Sequence, residues 1–300
     1  MSQPTDRLTL LATFARIAER GSISAAARDL GITQATASRH LQDLEARLGT
    51  PLARRTTHSL ALTGEGEAVL AEARALLAGW EALVERHAQD EIRGRLSVVA
   101  PVALGQTVLT DIAVELARTH PALRIDWRLE DAPVRLAELG SDCWIRVGPV
   151  PDDTLVVRSL GQVERLLVAA PDLSGPLQHP KAAETLPLLA LDPFEGGRIA
   201  LMNGAQRQEI APPVTFSTNN IAALHRVALS GAGIAVLPYW YVADDLQAGR
   251  LIDLLPDWRA AELTVNVAFP PGAQRLRRLA VFLDAVEAGL PKTPGISAPG

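Results

Sequence analysis

The sequence predicts an α/β protein in which a small helical head precedes a larger body of alternating strands and helices. Three observations point to it. Short helical periodicities separated by glycine turns fill the first fifty residues. A longer apolar seam follows, and from residue 93 strand and helix signals alternate. With 300 residues and 48% hydrophobic content, the chain has room for two or three cores.

In the head, Leu8, Leu11, Phe14, Ala15 and Ala18 repeat at spacings of three and four, so they form one face of a helix ending near Gly21. Ser22 or Ser24 is placed to cap a second helix, Ala25 to Leu30, and Gly31 gives the backbone freedom for a tight turn. Thr33 then caps a third helix whose buried side is expected to carry Ala37, Leu41, Leu44 and Leu48. Small Ala26 and Ala27 let two helices cross closely, which is helix-turn-helix logic. Gln34, Thr36, Ser38, Arg39 and Gln42 fall opposite the apolar stripe. Gln and Arg suit base edges, and Ser and Thr suit phosphates, though an ordinary solvated face has similar chemistry. Leu52 to Arg55 and Leu60 to Leu62 read as a hairpin around Thr56–Ser59, a wing with Arg54 and Arg55 at its base.

Charge supports this division. Residues 1–62 carry eight arginines against five acids, a net +3, while the whole chain is −5, which leaves −8 for the remainder. A basic head on an acidic body fits an anionic partner held at one end. From Glu65 onward Val69, Ala73, Leu76, Trp80, Leu83 and His87 alternate spacings of four and three, a seam for pairing two helices. With Thr63 as its cap, this helix is expected to reach about Asp90.

The body starts with strand Leu96–Ala100, helix Leu109–Arg118, a strand through Ile125, Trp127 and Leu129, and a short helix Val134–Leu139. Strands Cys143–Val147, Val163–Ala169, Leu188–Leu191, Ile199–Met202 and Val214–Ser217 follow, then helix Asn219–Ser230 and strand Ile234–Leu237. Mainly parallel sheets are expected.

Enzyme chemistry is not legible. The six histidines are scattered, there is one cysteine (Cys143, read as core), and Gly231–Gly233 lacks the strand-first context of a dinucleotide site. No catalytic residue, cofactor or metal is expected. No apolar run is long enough to span a membrane, and the first ten residues lack a secretory pattern, so a cytoplasmic location is expected.

The run from Gly21 to Gly66 resembles the DNA-binding signature of LysR-type transcriptional regulators. The match includes Ser22, Ala26-Ala27, Leu30, Gln34, Ser38, Arg39, Leu44-Glu45, Leu48-Gly49, Leu52, Arg55-Thr56 and Leu62-Thr63. Departures are Ala35 for a common Pro, Ala53 for a common Phe and His58 for a common Arg. The resemblance implies DNA contacts from Ser22, Thr33, Gln34, Thr36, Ser38, Arg39, Arg54 and Arg55, and pairing of two chains through Val69, Ala73, Leu76, Trp80 and Leu83.

Segments 94–105, 144–149 and 228–238 likewise resemble LysR-type effector domains, which share the two-lobed periplasmic-binding-protein fold. Expected boundaries are 1–62 for the head, 63–92 for the linker and 93–300 for the effector domain, with lobe I about 94–161 and 268–290 and lobe II about 162–267. Crossings are expected near Gly161 and Val267–Phe269.

A small effector, with a carboxylate favoured by the free N–H groups after the first strand, is expected to meet Val102, Ala103, Gln106, Thr107, Arg146, Thr218, Asn219 and Gly231. Plainer readings stay open for some of these, Arg146 in a surface salt bridge and the run Ser217 to Asn220 as a helix cap. Implied partners are double-stranded operator DNA, the effector, a second copy or a tetramer, and RNA polymerase. A constitutive or architectural DNA-binding dimer with no effector stays open as the alternative.

Overall fold

A computed structural model describes residues 5–55, 60–87 and 91–299. The tip of the expected wing, including His58, and the expected end of the linker helix at Asp90 lie outside the described residues.

The head consists of α1 (Arg7–Arg20), α2 (Ile23–Asp29), α3 (Gln34–Leu48) and the hairpin β1 (Ala53–Arg55) and β2 (Leu60–Leu62). Gly21, Gly31 and Gly49 all take positive φ, and Gly21 and Gly49 end α1 and α3 in the left-handed conformation. Leu10, Phe14, Ile17, Ala26, Ala37, Leu41 and Leu44 form one core, in which each large side chain contributes about 1.5–3 kcal/mol. Leu48, expected in that core, is 48% exposed; the apolar stripe stops a turn earlier, and Leu52 completes the core instead.

The linker α4 (Gly64–His87) is capped by Thr63, whose hydroxyl accepts from Gly66 N at 2.9 Å and donates to Pro51 O at 2.8 Å. Gly66 is required here, because a Cβ would collide with the Leu52 carbonyl oxygen. The expected seam splits. Val69 packs, half-buried, on the head core, and Ala73 is buried within its own chain and so closed to a partner. Ala78 and Ala82 pack against the body. Leu76, Trp80 and Leu83 stay exposed, at 60%, 50% and 39%.

The first lobe contains β3 (Gly94–Ala100), α5 (Val102–Gln106), α6 (Val108–Thr119), β4 (Leu123–Leu129), α7 (Leu136–Leu139) and β5 (Cys143–Val147). The long strand β6 (Val156–Ala169) leads into the second lobe: β7 (Leu188–Leu191), β8 (Ile199–Asn203), β9 (Gln206–Ile210), β10 (Val214–Thr218), α8 (Ile221–Leu229), β11 (Ile234–Pro238), α9 (Tyr239–Gln247) and β12 (Ile252–Asp253). A second long strand, β13 (Arg259–Phe269), returns to α10 (Arg277–Gly289) and β14 (Ile296–Ser297).

The main strand order is β10-β7-β11-β6-β13-β5-β3-β4. The outer strands pair in parallel, but β6 and β13 run antiparallel to each other and to most neighbours, so the sheets are mixed rather than mainly parallel. The cause is topological, since the two crossings must pass between the lobes in opposite directions.

Irregular register bends β13 between Ala260 and Leu263 and again at Val265/Asn266, while Val265–Ala268 already pair with β5 of the first lobe. The return crossing therefore lies several residues before the expected Val267–Phe269. On the outgoing strand, Gly161 admits β14, for a Cβ there would stand 2.6 Å from the Ser297 carbonyl oxygen.

Candidate functional site: a DNA-reading head and an interlobe cleft

Two hydroxyls fix the geometry of the reading helix and the one before it. Ser22 caps α2 by accepting from Ala25 N at 3.4 Å, so Ser24 is not the cap. Thr33 caps α3, accepting from Thr36 N at 3.1 Å, and its hydroxyl lies 2.8 Å from that of Thr36. Gln34, Arg39 and Gln42 are exposed on α3, and Thr36 and Ser38 are half-buried. Arg54 is exposed on β1; the side chain of Arg55 is not described.

Two anchors went unread in the sequence. Buried His40 sets Nδ1 3.0 Å from the Thr13 hydroxyl, tying α3 to α1. Glu45 Oε1 accepts from Leu52 N at 2.8 Å and Ala53 N at 3.3 Å, holding the wing to α3. Spacing hid both, because their partners are 27 and 7–8 residues away.

The second site is a cavity of about 360 Å³ between the lobes. Its walls are mostly loops at the carboxyl ends of strands: Pro101, Ala103 and Leu104 after β3, Glu130 to Pro133 after β4, Leu191 to Phe194 at β7, Asn219 after β10, and Pro238 and Trp240 after β11. Trp144 and Arg146 come from one face of β5, and the guanidinium carbon of Arg146 lies 5.0 Å from the Trp144 ring centroid. Val163, Arg165 and Leu263 come from the two crossing strands, so any movement of the lobes reshapes the cavity floor.

Of the expected effector contacts, Ala103, Arg146 and Asn219 line this cavity. Val102, Gln106, Thr107, Thr218 and Gly231 do not. The segment after β3 is not an open loop but the short helix α5, which leaves Gln106 and Thr107 exposed, with the Thr107 hydroxyl bonded back to Ala103 O at 2.9 Å. Thr218 accepts from Asn220 N at 3.1 Å and serves the turn into α8. Gly231 ends that helix with φ 76° beside Ala170. Arg146 makes no surface salt bridge among the described residues; its Nε donates to Pro149 O at 2.7 Å.

Of the N–H groups expected to hold an anion, the first is taken, as Val102 N donates to Asp131 Oδ1 at 2.9 Å. Burial pushes the Asp131 carboxyl above its ordinary value, against that hydrogen bond. In the opposite wall, Arg165 is buried and donates to Glu195 at 2.5 Å and, through Nε, to Ala261 O at 2.9 Å. Burial lowers the Arg165 pKa and raises that of Glu195, each opposed by the other's charge. Trp240 Nε1 is buried with no acceptor among the described residues. These aromatic and charged residues went unread because loops 30 to 100 residues apart assemble them.

A winged helix-turn-helix, a long connecting helix and a two-lobed cleft in one polypeptide define the class of one-chain transcriptional regulators. Residues 8–67 match the family described as bacterial regulatory helix-turn-helix protein, lysR family, and residues 89–291 match the LysR substrate binding domain. The chain belongs to the LysR family of bacterial transcriptional regulators, whose members bind DNA and small-molecule effectors.

It is 30% identical to the uncharacterized HTH-type transcriptional regulator YhjC of Escherichia coli K12, over 93% of this chain and 96% of the relative. It is 28% identical to a transcriptional repressor of Pseudomonas aeruginosa strain UCBPP-PA14, over 97% and 94% of the two chains. These relatives are transcriptional regulators. Among solved structures, ArgP from Mycobacterium tuberculosis shares the fold at a TM-score of 0.71, with 23% identity and 97% and 98% coverage. CrgA, a LysR-type regulator from Neisseria meningitidis, gives 0.59 at 28% identity, covering 96% and 99%. No described helix is long and apolar enough to cross a membrane.

Proposed function

We propose that the chain binds operator DNA sequence-specifically in the cytoplasm as a dimer or tetramer, and that a small molecule in the interlobe cleft modulates this binding and its contact with RNA polymerase. The carrying observation is the outer face of α3: Gln34, Arg39 and Gln42 stand exposed on a helix whose other side is locked into the head by Ala37, His40, Leu41 and Leu44. Ser22, Thr33, Thr36, Ser38, Arg54 and Arg55 complete the reading surface in this assignment, with Ser22 and Thr33 acting mainly as caps.

Leu76, Trp80 and Leu83, with Val84, form the pairing stripe. A route from cleft to head is supported by ion pairs along α4. Arg278 reaches Glu81 at 2.8 Å and Asp142 at 3.4 Å, and Asp142 adjoins the strand that carries Trp144 and Arg146 to the cleft. Nearer the head, Arg74 pairs with Glu19 at 3.4 Å. A ligand shifts the equilibrium only by its difference in affinity between the arrangements these contacts permit.

Selection from a random duplex library with the full-length chain tests the proposal. It should enrich a two-fold symmetric motif with half-sites about 10 bp, or a multiple, apart. Leu76→Glu combined with Trp80→Glu should convert the assembly to monomers in analytical ultracentrifugation and abolish that enrichment. A monomeric wild-type chain that ignores every duplex would overturn it.

A further inference from the structure

On the reading that the interlobe cleft is the effector site, we infer that its ligand is a compact organic cation with an apolar or aromatic body, not a carboxylate. Of the cleft's two arginines, Arg165 is held by a carboxylate and a carbonyl, whereas Arg146 gives only its Nε to a backbone oxygen. Arg165, 8% exposed, is held by Glu195 (3% exposed) and by the Ala261 carbonyl. Arg146 donates to Pro149 O and lies against the Trp144 ring.

Three carboxylates on the same walls are differently placed. Glu130 and Asp131 follow β4, and Asp192 follows β7 on the facing lobe. Among the described residues none of the three is in a salt bridge, although Asp131 feels the field of Arg146. The local balance is therefore negative, with carboxylates on both sides of a cavity that closes between the lobes. Lobe closure would place a cation between them and out of water, where opposite charges attract far more strongly than in bulk solvent.

The rest of the lining fits the body of such a molecule. Phe194 and Trp240 offer aromatic surface suited to an ammonium or guanidinium group and to a ring, while Val163, Val236 and Leu263 supply aliphatic contact. A carboxylate, by contrast, meets three like charges against the single cation of Arg146, and the first backbone N–H of α5 is already taken by Asp131. Asp131 thus does internally what an anionic effector would otherwise do there.

Isothermal titration of the full-length chain with three isosteric probes separates the cases: phenethylammonium, 2-phenylethanol and phenylacetate. The expected order of affinity is ammonium, alcohol, carboxylate, with about a tenfold or larger gap between first and last. The double variant Glu130→Gln with Asp131→Asn should shrink that gap to about threefold or less, and its new amide oxygen can still accept from Val102 N. Asp192→Asn should narrow it from the other lobe. Phenylacetate binding as tightly as phenethylammonium, or a gap that persists in all variants, would overturn the charge assignment while leaving the cleft as a ligand site. No heat from any probe at millimolar concentration would overturn the ligand-bearing reading, and this inference with it.

Discussion

The head and the cleft are built by opposite strategies. In the head, the caps that open α2, α3 and α4 are local: Ser22 to Ala25, Thr33 to Thr36 and Thr63 to Gly66 each span three residues, and His40 to Thr13, at 27, is the long-range tie of α3. In the cleft they are remote: Val102 to Asp131 spans 29 residues, Arg165 to Glu195 spans 30, and Arg165 to Ala261 spans 96. A surface that must fit a duplex of fixed shape gains from stiffness set close to the chain. A cavity between lobes needs walls that can move apart, so its groups come from separate loops that meet only in the folded state. Local damage to the head should therefore weaken one function by degrees, whereas damage to a remote pair in the cleft should cost a whole lobe.

The strongest way to break that comparison is Glu195→Ala. It leaves the Arg165 guanidinium buried with no counter-charge, a change that typically destabilises by about 3–5 kcal/mol. In chemical denaturation the second lobe should unfold first, in a transition separated from that of the head. A single unchanged transition would mean that Arg165 finds water or another acceptor, and the contrast between the regions would weaken. Glu195→Gln should fall between, since the amide still accepts from Arg165 but carries no charge.

Arg39→Ala tests the other side with a smaller effect. Loss of a base-edge contact costs about 1–3 kcal/mol of operator affinity, and loss of a phosphate contact flattens the logarithmic salt dependence by about 0.9 per site. Arg39 is exposed and, among the described residues, its side chain is in no hydrogen bond or ion pair, so the thermal midpoint should stay within a degree or two of wild type. Titrations at several salt concentrations separate the two roles. An unchanged affinity and slope would assign the grip elsewhere on α3 or to Arg54.

The contrast also explains what could be read in advance. Capping hydroxyls, positive-φ glycines and apolar stripes act within a few residues, so α1 to α3 and the start of α4 were legible. So was the alternation of strands and helices, and with it the fold class. Trp144 carries no local signal of its place in the cleft, although Arg146 two residues on shares its face of β5 and their contact builds the cleft wall. Asp131, Phe194 and Trp240 carried no local pattern at all, because the loops that bring them together follow different strands. The seam on α4 was half legible for a related reason. A spacing of three and four marks an apolar face but not what covers it: Val69 packs against the chain's own head, and Ala73 is buried inside the chain.

Thr33→Ala should have the smallest effect and sharpens the comparison most finely. Removing this N-cap costs about 1 kcal/mol, because Thr36 N loses its acceptor at the opening of α3. The head should melt a few degrees lower, with operator affinity falling by less than the Arg39→Ala variant loses. Ligand binding in the cleft should be unaltered, since no cleft residue touches this cap. Thr33→Ser restores the acceptor oxygen and should recover most of the loss. If Thr33→Ala abolished operator binding while the head's stability held, Thr33 would have to contact the duplex itself, and capping would be the lesser part of its role. A ligand affinity that moved with this cap would show that the two regions are coupled in the free protein, so that local stiffness in the head and remote assembly in the cleft could no longer be treated as separate designs.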